Sequence, residues 1–230
     1  MTSTGIIESR PVTERPPVLR ITRFALLLVM TYTAIADASR AISTVTGLHL
    51  ASGTDPRLPL IDLPQLVQAD LRAGSTGTLA DADLILRILG AVPSVIHGVT
   101  VVLAIAWLLR ALRGIAQGHP FHAFVVQNWR RLALTLLAGG LAQGVADGIA
   151  CTYLAVGAGF RGISFLGAVG GGSSRTDPQQ VAFLGGDYEA ISVAIATWPV
   201  DLLLAGLVAL ALTAAFRAGA RLAEDADGVV

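Results

Sequence analysis

Four long apolar stretches limit what this chain can fold into. They cover residues 24–46, 88–109, 132–156 and 190–215. About 20 residues of α-helix, rising 1.5 Å each, are enough to cross the ~30 Å hydrocarbon core of a bilayer. Only 14% of the residues are charged, against about 25% in ordinary soluble domains. We therefore predict an all-α integral membrane protein built as a four-transmembrane-helix bundle.

The arginines predict how the chain is threaded. All sixteen basic side chains are arginine, and ten of them flank the apolar stretches on one predicted side of the membrane. These ten are Arg10, Arg15, Arg20, Arg23, Arg110, Arg113, Arg130, Arg131, Arg217 and Arg221. Half of the sixteen acids fall in the two segments on the opposite side, 47–87 and 157–189. By the positive-inside rule, both termini and the loop 110–131 are cytoplasmic.

This threading predicts three regions along the chain. They are a disordered cytoplasmic tail over 1–20, a membrane domain over 21–216 with outer loops 47–87 and 157–189, and an acidic cytoplasmic tail over 217–230. The net charge is zero, which gives no sign of direct nucleic-acid binding. We expect a multi-pass membrane protein whose first partner is the lipid bilayer.

Two local features have alternative interpretations. The basic residues before position 24 and the sequence Ala36-Asp37-Ala38 also fit a cleaved secretory signal peptide, although a retained span is favoured because apolar residues continue to Val45. In the first outer loop, the spacing of apolar residues from 63 to 71 predicts a short amphipathic helix starting near Pro64.

Each predicted span contains at least one ionisable residue. These candidates are Asp37, Arg40, His97, Asp147 and Asp201. An ionisable side chain near the bilayer centre costs roughly 2.5–3.5 kcal/mol on insertion scales, so each needs a structural or functional reason. Asp37 and Arg40 are three positions apart and could pair. Convergence of the groups would make a proton switch, an ion site or a ligand pocket, whereas separate hydrogen bonds between helices would only fix the packing.

Glycine recurs every fourth residue in the third span. Gly140, Gly144 and Gly148 form a stripe on one side of the helix, which lets a neighbouring helix approach closely. The neighbour would be another helix of the same bundle or, alternatively, the same helix in a homodimer.

The sequence contains no arrangement that predicts enzymatic catalysis. It has no phosphate-binding loop, no zinc-protease motif and no nucleophile elbow. Cys151 is the only cysteine, and His119 with His122 supplies too few ligands for a metal. The match of residues 157–162 to a dinucleotide fingerprint lacks a preceding strand, so a loop is the better interpretation. We predict no catalytic residue, no metal and no cofactor.

The cytoplasmic loop and the C-terminal tail resemble a known family. The loop reads Gly118-His-Pro120-Phe121 and later Asn128-Trp-Arg-Arg131-Leu, and the tail contains Phe216, Gly219, Leu222 and Asp225. Together these motifs resemble the bacterial family called domain of unknown function 2975. The resemblance implies a four-span membrane protein that accompanies a small cytoplasmic helix-turn-helix regulator, and it implies no active site.

These observations favour a non-enzymatic sensing or regulatory protein that presents its cytoplasmic loop and acidic tail to a cytoplasmic partner. The alternative is a small transporter, or a protein that conducts ions or protons, using Asp147 and Asp201.

Overall fold

The structure is a computed structural model, and it describes residues 17–50, 56–117, 122–160 and 177–227. In chain order the elements are α1 (Pro17–Thr46), β1 (Leu66–Leu71), α2 (Leu84–Ala116), α3 (Ala123–Gly157), α4 (Pro178–Leu184), β2 (Tyr188–Val193) and α5 (Val200–Asp227). Short 3-10 turns cover Leu60–Asp62 and Leu79–Asp81. The predicted all-α class is confirmed, with a small two-stranded sheet added to it.

Four helices are long and apolar enough to cross a membrane. The spans are Arg20–Thr46, Leu84–Ala116, Ala123–Gly157 and Val200–Leu222. The prediction that the fourth span starts at residue 190 does not match the structure, because β2 occupies 188–193 and α5 begins only at Val200. An apolar run cannot by itself distinguish a helix from a buried strand. Pro199 explains the late start, since the residue before a proline is driven away from helical geometry.

The four long helices pack antiparallel in chain order. Helix α1 packs on α2, α2 on α3, and α3 on α5, and no other pair of these helices packs to a comparable extent among the described residues. The first and last helices therefore lie at the two ends of an open series. In the most apolar window of α1 only 6% of residues are buried. A helix this exposed and this apolar is suited to contact lipid.

The antiparallel order brings eight of the ten described arginines of the four helices to one end. We call this the arginine end: Arg20, Arg23, Arg110, Arg113, Arg130, Arg131, Arg217 and Arg221. The opposite end has a folded cap, made of residues 56–83 and 177–193. A linker, residues 194–199, connects the cap to α5.

The cap joins the two segments that the sequence analysis treated as separate loops. Strand β1 pairs antiparallel with β2, with Leu66 opposite Val193 and Leu71 opposite Tyr188. The amphipathic helix predicted near Pro64 is therefore wrong. Its apolar residues are used by a strand, and the pairing that selects the strand comes from a distant part of the chain, which local periodicity cannot reveal.

The cap has its own hydrophobic core, which extends onto α2 and α3. Its buried residues include Leu60, Leu63, Leu79, Leu184 and Ile191, packed with Leu86 of α2 and with Cys151 and Leu154 of α3. Asp83 caps the start of α2 by accepting hydrogen bonds from the backbone amides of Ile85 and Leu86. The cap is thus continuous with the helices below it.

Candidate functional site

A buried carboxylate on α3 connects the helices to the cap and to the linker. Asp147 is 9% exposed. One of its oxygens accepts a hydrogen bond from Gln65 Nε2 at 3.1 Å. The other accepts from the backbone amide of Thr197 at 2.8 Å and from its hydroxyl at 3.3 Å. We call Asp147, Gln65 and Thr197 the clasp. Three donors compensate the desolvation of one buried carboxylate.

Gln65 extends the clasp to α1 and α2. Its side chain is 1% exposed, and its backbone carbonyl accepts a hydrogen bond from the amide of Ala194 in the linker. Gln65 Oε1 would lie only 3.1 Å from a Cβ atom on Gly90, and Thr44 of α1 is close to the same point. A larger residue than glycine at position 90 would therefore push against the buried amide. Glycine is needed here for close approach.

The linker is fixed on a second point of α3. The ring of Trp198 lies so close to Gly144 that a Cβ there would be 2.5 Å from the ring. Gly140 faces Leu203 of α5 in the same way, with a 3.0 Å approach. Gly148 is buried in α3. Two of the three predicted glycines thus provide close packing of α3 on the linker and α5 within one chain. A homodimer contact stays a prediction.

A second polar pair joins α1 to α2. His97 Nδ1 lies 2.7 Å from Asp37 Oδ2, and Asp37 is buried. Gly98 makes room for this contact, because a Cβ at that position would be 3.1 Å from the Asp37 side chain. The expected pairing of Asp37 with Arg40 is not observed. Arg40 is exposed and forms no ion pair within the described residues.

Asp201 lies apart from both groups. It is in the first turn of α5 and its side chain is exposed, instead of lying near the middle of a span as predicted. An acid at a helix N-terminus is favoured by the helix dipole. The five ionisable candidates therefore do not converge: Asp37 pairs with His97, Asp147 lies in the clasp, and Arg40 and Asp201 are exposed.

Both contacts lie at a similar height above the arginine end. Asp37 follows Arg23 by 14 residues, and Asp147 follows Arg131 by 16. At 1.5 Å per residue these separations correspond to roughly 20–24 Å along the helices. Hydrogen bonds between apolar helices fix their packing, and buried charges without partners are costly.

The described residues of the loop and tail motifs lie at the arginine end. Gly118, Pro120 and Phe121 fall outside the described residues. Asn128 is fully buried, and its side-chain amide donates to the Phe124 carbonyl at 2.7 Å. Three further motif residues have these positions: Arg131 lies over the Trp107 ring, Phe216 stacks on Trp129 with ring centres 5.8 Å apart, and Gly219 is half-buried. Leu222 and Asp225 are exposed.

Sequence reasoning missed Gln65, Thr197 and Trp198. Gln65 lies outside the expected spans, and Thr197 lies close to the expected start of one. A polar residue in either position carries no insertion cost that calls for an explanation. Their importance depends on the β1–β2 pairing, which places the two cap segments side by side. The one available signal was the position of Trp198-Pro199 inside an apolar run, which indicates an interruption of the helix.

The described residues contain no group of three or more His, Cys, Asp and Glu side chains that could hold a metal ion. Comparison with protein-family models, curated proteins and solved structures finds no match in any of the three. The resemblance to domain of unknown function 2975 therefore stays a prediction.

Proposed function

We propose that this chain is a multi-pass protein of the bacterial plasma membrane, with both termini cytoplasmic, that acts as a non-enzymatic sensor or regulator. In this proposal the cap receives a signal outside the membrane and α5 transmits it to a cytoplasmic protein. The observation behind it is the hydrogen bond between Asp147 and the amide of Thr197, three residues before α5 begins.

The position of the clasp supports transmission from the cap to α5. Gln65 of the cap and Thr197 of the linker bind the same carboxylate, so a displacement of the cap changes the support for the linker. Helix α5 packs on α3 and otherwise lies at the edge of the series. A helix with one packed neighbour can shift with fewer broken contacts than a central helix. A transition of this kind is a helix shift of 1–2 Å or more.

The opposite end of α5 supports a cytoplasmic partner. It presents exposed Arg217, Arg221 and Asp225, a mixed charged surface that a soluble protein can contact. The family resemblance favours a small helix-turn-helix regulator as that partner.

Label-based distance measurement tests the transmission. Cys151 is the only cysteine, so Cys151→Ala gives a background for pairs of spin labels. Labels at Gln117→Cys on α2 and Asp225→Cys on α5 report the position of the tail. We expect Asp147→Asn to change or broaden this distance. Asp201→Asn, which removes a carboxylate from the exposed first turn of α5, should leave it unchanged. Equal distances in both variants would refute transmission through the clasp.

Partner capture tests the regulatory role. Full-length protein and a variant lacking 221–230 are purified from native membranes and their bound proteins compared. We expect one cytoplasmic protein to depend on the tail, and its amount to change with Asp147→Asn. If no captured protein depends on both changes, the regulatory proposal is wrong.

The transport alternative has less support from the described geometry. It needs Asp147 and Asp201 to face one path. Both Asp147 oxygens are hydrogen-bonded in the clasp, while Asp201 is exposed at the start of α5.

A further inference from the structure

One indole at the arginine end contacts two guanidinium groups from different helices. The guanidinium carbon of Arg110, one turn along α2, lies 4.6 Å from the centre of the Trp107 ring. That of Arg131, from α3, lies 5.1 Å from the same centre. The two cations therefore lie no farther apart than the sum of these distances. Each cation–π contact favours one position of its arginine side chain, by about 0.5–1 kcal/mol at an exposed site.

The charge around this pair is strongly positive. Arg113 and Arg130 are exposed nearby, one turn and one residue away along the same helices. Among the side chains that the structure describes, no ion pair joins an acid to any of the eight arginines at the arginine end. Two like charges held together on one ring repel each other, and an anion placed between them would relieve that repulsion.

We propose that Trp107, Arg110 and Arg131 form a binding site for the phosphate of an anionic phospholipid. A guanidinium presents a planar pair of N–H donors that matches phosphate oxygens, and two such groups can hold one phosphodiester from two sides. Because both are already ordered on the indole, less side-chain entropy is lost on binding than for free surface arginines.

The position of the ring favours a lipid over a soluble phosphate. Trp107 is half-buried near the end of a membrane-length helix, and tryptophan prefers the headgroup level of a bilayer. A phosphate held there is at the depth of the lipid headgroups, with the acyl chains beside the exposed apolar surface of the helices. The inference rests on membrane insertion and is independent of signalling through α5.

Lipid-dependent fluorescence quenching tests the site. A variant with Trp129→Phe and Trp198→Phe retains Trp107 alone, and it is titrated in neutral micelles with phosphatidylglycerol carrying brominated chains. Phosphatidylcholine with the same brominated chains is the neutral-headgroup comparison. We expect phosphatidylglycerol to quench Trp107 at lower mole fraction. Arg110→Gln and Arg131→Gln should each weaken its binding about tenfold, the effect of losing a charge-assisted contact.

Arg113→Gln and Arg130→Gln are matched controls, because each removes the same charge from the same helix end without touching the ring. We expect them to weaken binding by less than about threefold, as for screened surface charges. Equal effects of all four substitutions would show a general positive field and overturn the site. Equal quenching by the two lipids would also overturn it. Displacement of phosphatidylglycerol by inorganic phosphate, at ionic strength held constant with chloride, would reject the lipid as the ligand.

The two tryptophan substitutions could themselves disturb the fold. The same four arginine variants are therefore also compared with all tryptophans present, counting bound phosphatidylglycerol by native mass spectrometry. A bound lipid that is lost in Arg110→Gln and Arg131→Gln and kept in both controls supports the site, and a lipid kept in all four contradicts it.

Discussion

Gln65 and Asp147 are 82 positions apart in the chain, and the side-chain amide of one donates to the carboxylate of the other at 3.1 Å inside the protein. The contact joins the cap to α3. The same carboxylate also accepts a hydrogen bond from the backbone amide of Thr197. Asp147 on α3 therefore binds both Gln65 of the cap and Thr197 of the linker.

Asp147→Asn should destabilise the protein. One amide nitrogen would replace an oxygen that accepts a hydrogen bond, so either Gln65 or Thr197 would face a donor and remain unsatisfied. We expect a loss of roughly 2–4 kcal/mol, as for other broken buried polar networks. Unfolding in mixed detergent micelles measures it.

Asp201→Asn is the matched control for that prediction. It also removes one carboxylate charge, but from the exposed first turn of α5, where interaction with the helix dipole contributes about 0.3–1 kcal/mol. If both substitutions cost the same, Asp147 does not hold the cap and linker as described.

A double-mutant cycle can decide which residue partners Asp37. The structure pairs Asp37 with His97 at 2.7 Å, so Asp37→Asn and His97→Ala should show a coupling energy of about 1–2 kcal/mol. The spacing of the sequence instead suggests Arg40, which is exposed. The cycle of Asp37→Asn with Arg40→Gln should give less than about 0.5 kcal/mol, because an exposed arginine forms no buried pair. A larger coupling with Arg40 would contradict the structure.

The sequence predicts the long helices well because each is a continuous apolar run bounded by arginines or turn residues. The start of α5 is the exception. Residues 190–199 are as apolar as a span, and only the pairing of β2 with β1 makes part of them a strand. Hydrophobicity reports burial, and it does not report which hydrogen bonds satisfy the backbone.

The candidate site is predicted less completely. Cost arguments selected Asp37, His97 and Asp147 as residues that would need partners, and the structure gives each of them a hydrogen-bond partner. They could not supply the partners. Asp37 bonds across to α2 and Asp147 bonds to the cap, and both choices depend on which helix faces lie together. Asp201 was expected well inside the fourth span because that span was predicted to start at residue 190. Helix α5 starts at Val200, so Asp201 lies in its first turn.

Gly144→Ala should weaken the packing of the linker on α3. The added methyl group would lie 2.5 Å from the Trp198 ring, which is rigid and cannot move without shifting the linker. We expect a loss of about 1–3 kcal/mol, typical of overpacking. Gly140→Ala makes the same change one turn away, where the nearest atom is the end of the flexible Leu203 side chain at 3.0 Å. Its cost should be smaller. Unfolding measurements on the two variants compare them directly, and equal losses would show that the ring is not the obstacle.

Stability should fall at alkaline pH because of Tyr188 in the cap. Burial, and secondarily the charge of Asp81, raises the pKa of Tyr188 from 10.0 to about 12. Between pH 10 and about 12 the unfolded chain loses this proton while the folded chain keeps it, so the folded state is progressively disfavoured, by about 1–2 kcal/mol. The Tyr188 hydroxyl has no hydrogen-bond partner among the described residues, so Tyr188→Phe loses no bond.

Unfolding measured from pH 9 to 11.5 should show a shallower decline for Tyr188→Phe than for the wild type. Tyr32→Phe, which changes an exposed residue of α1, should decline as the wild type does. A Tyr188→Phe profile parallel to the wild type would assign the alkaline loss to other groups.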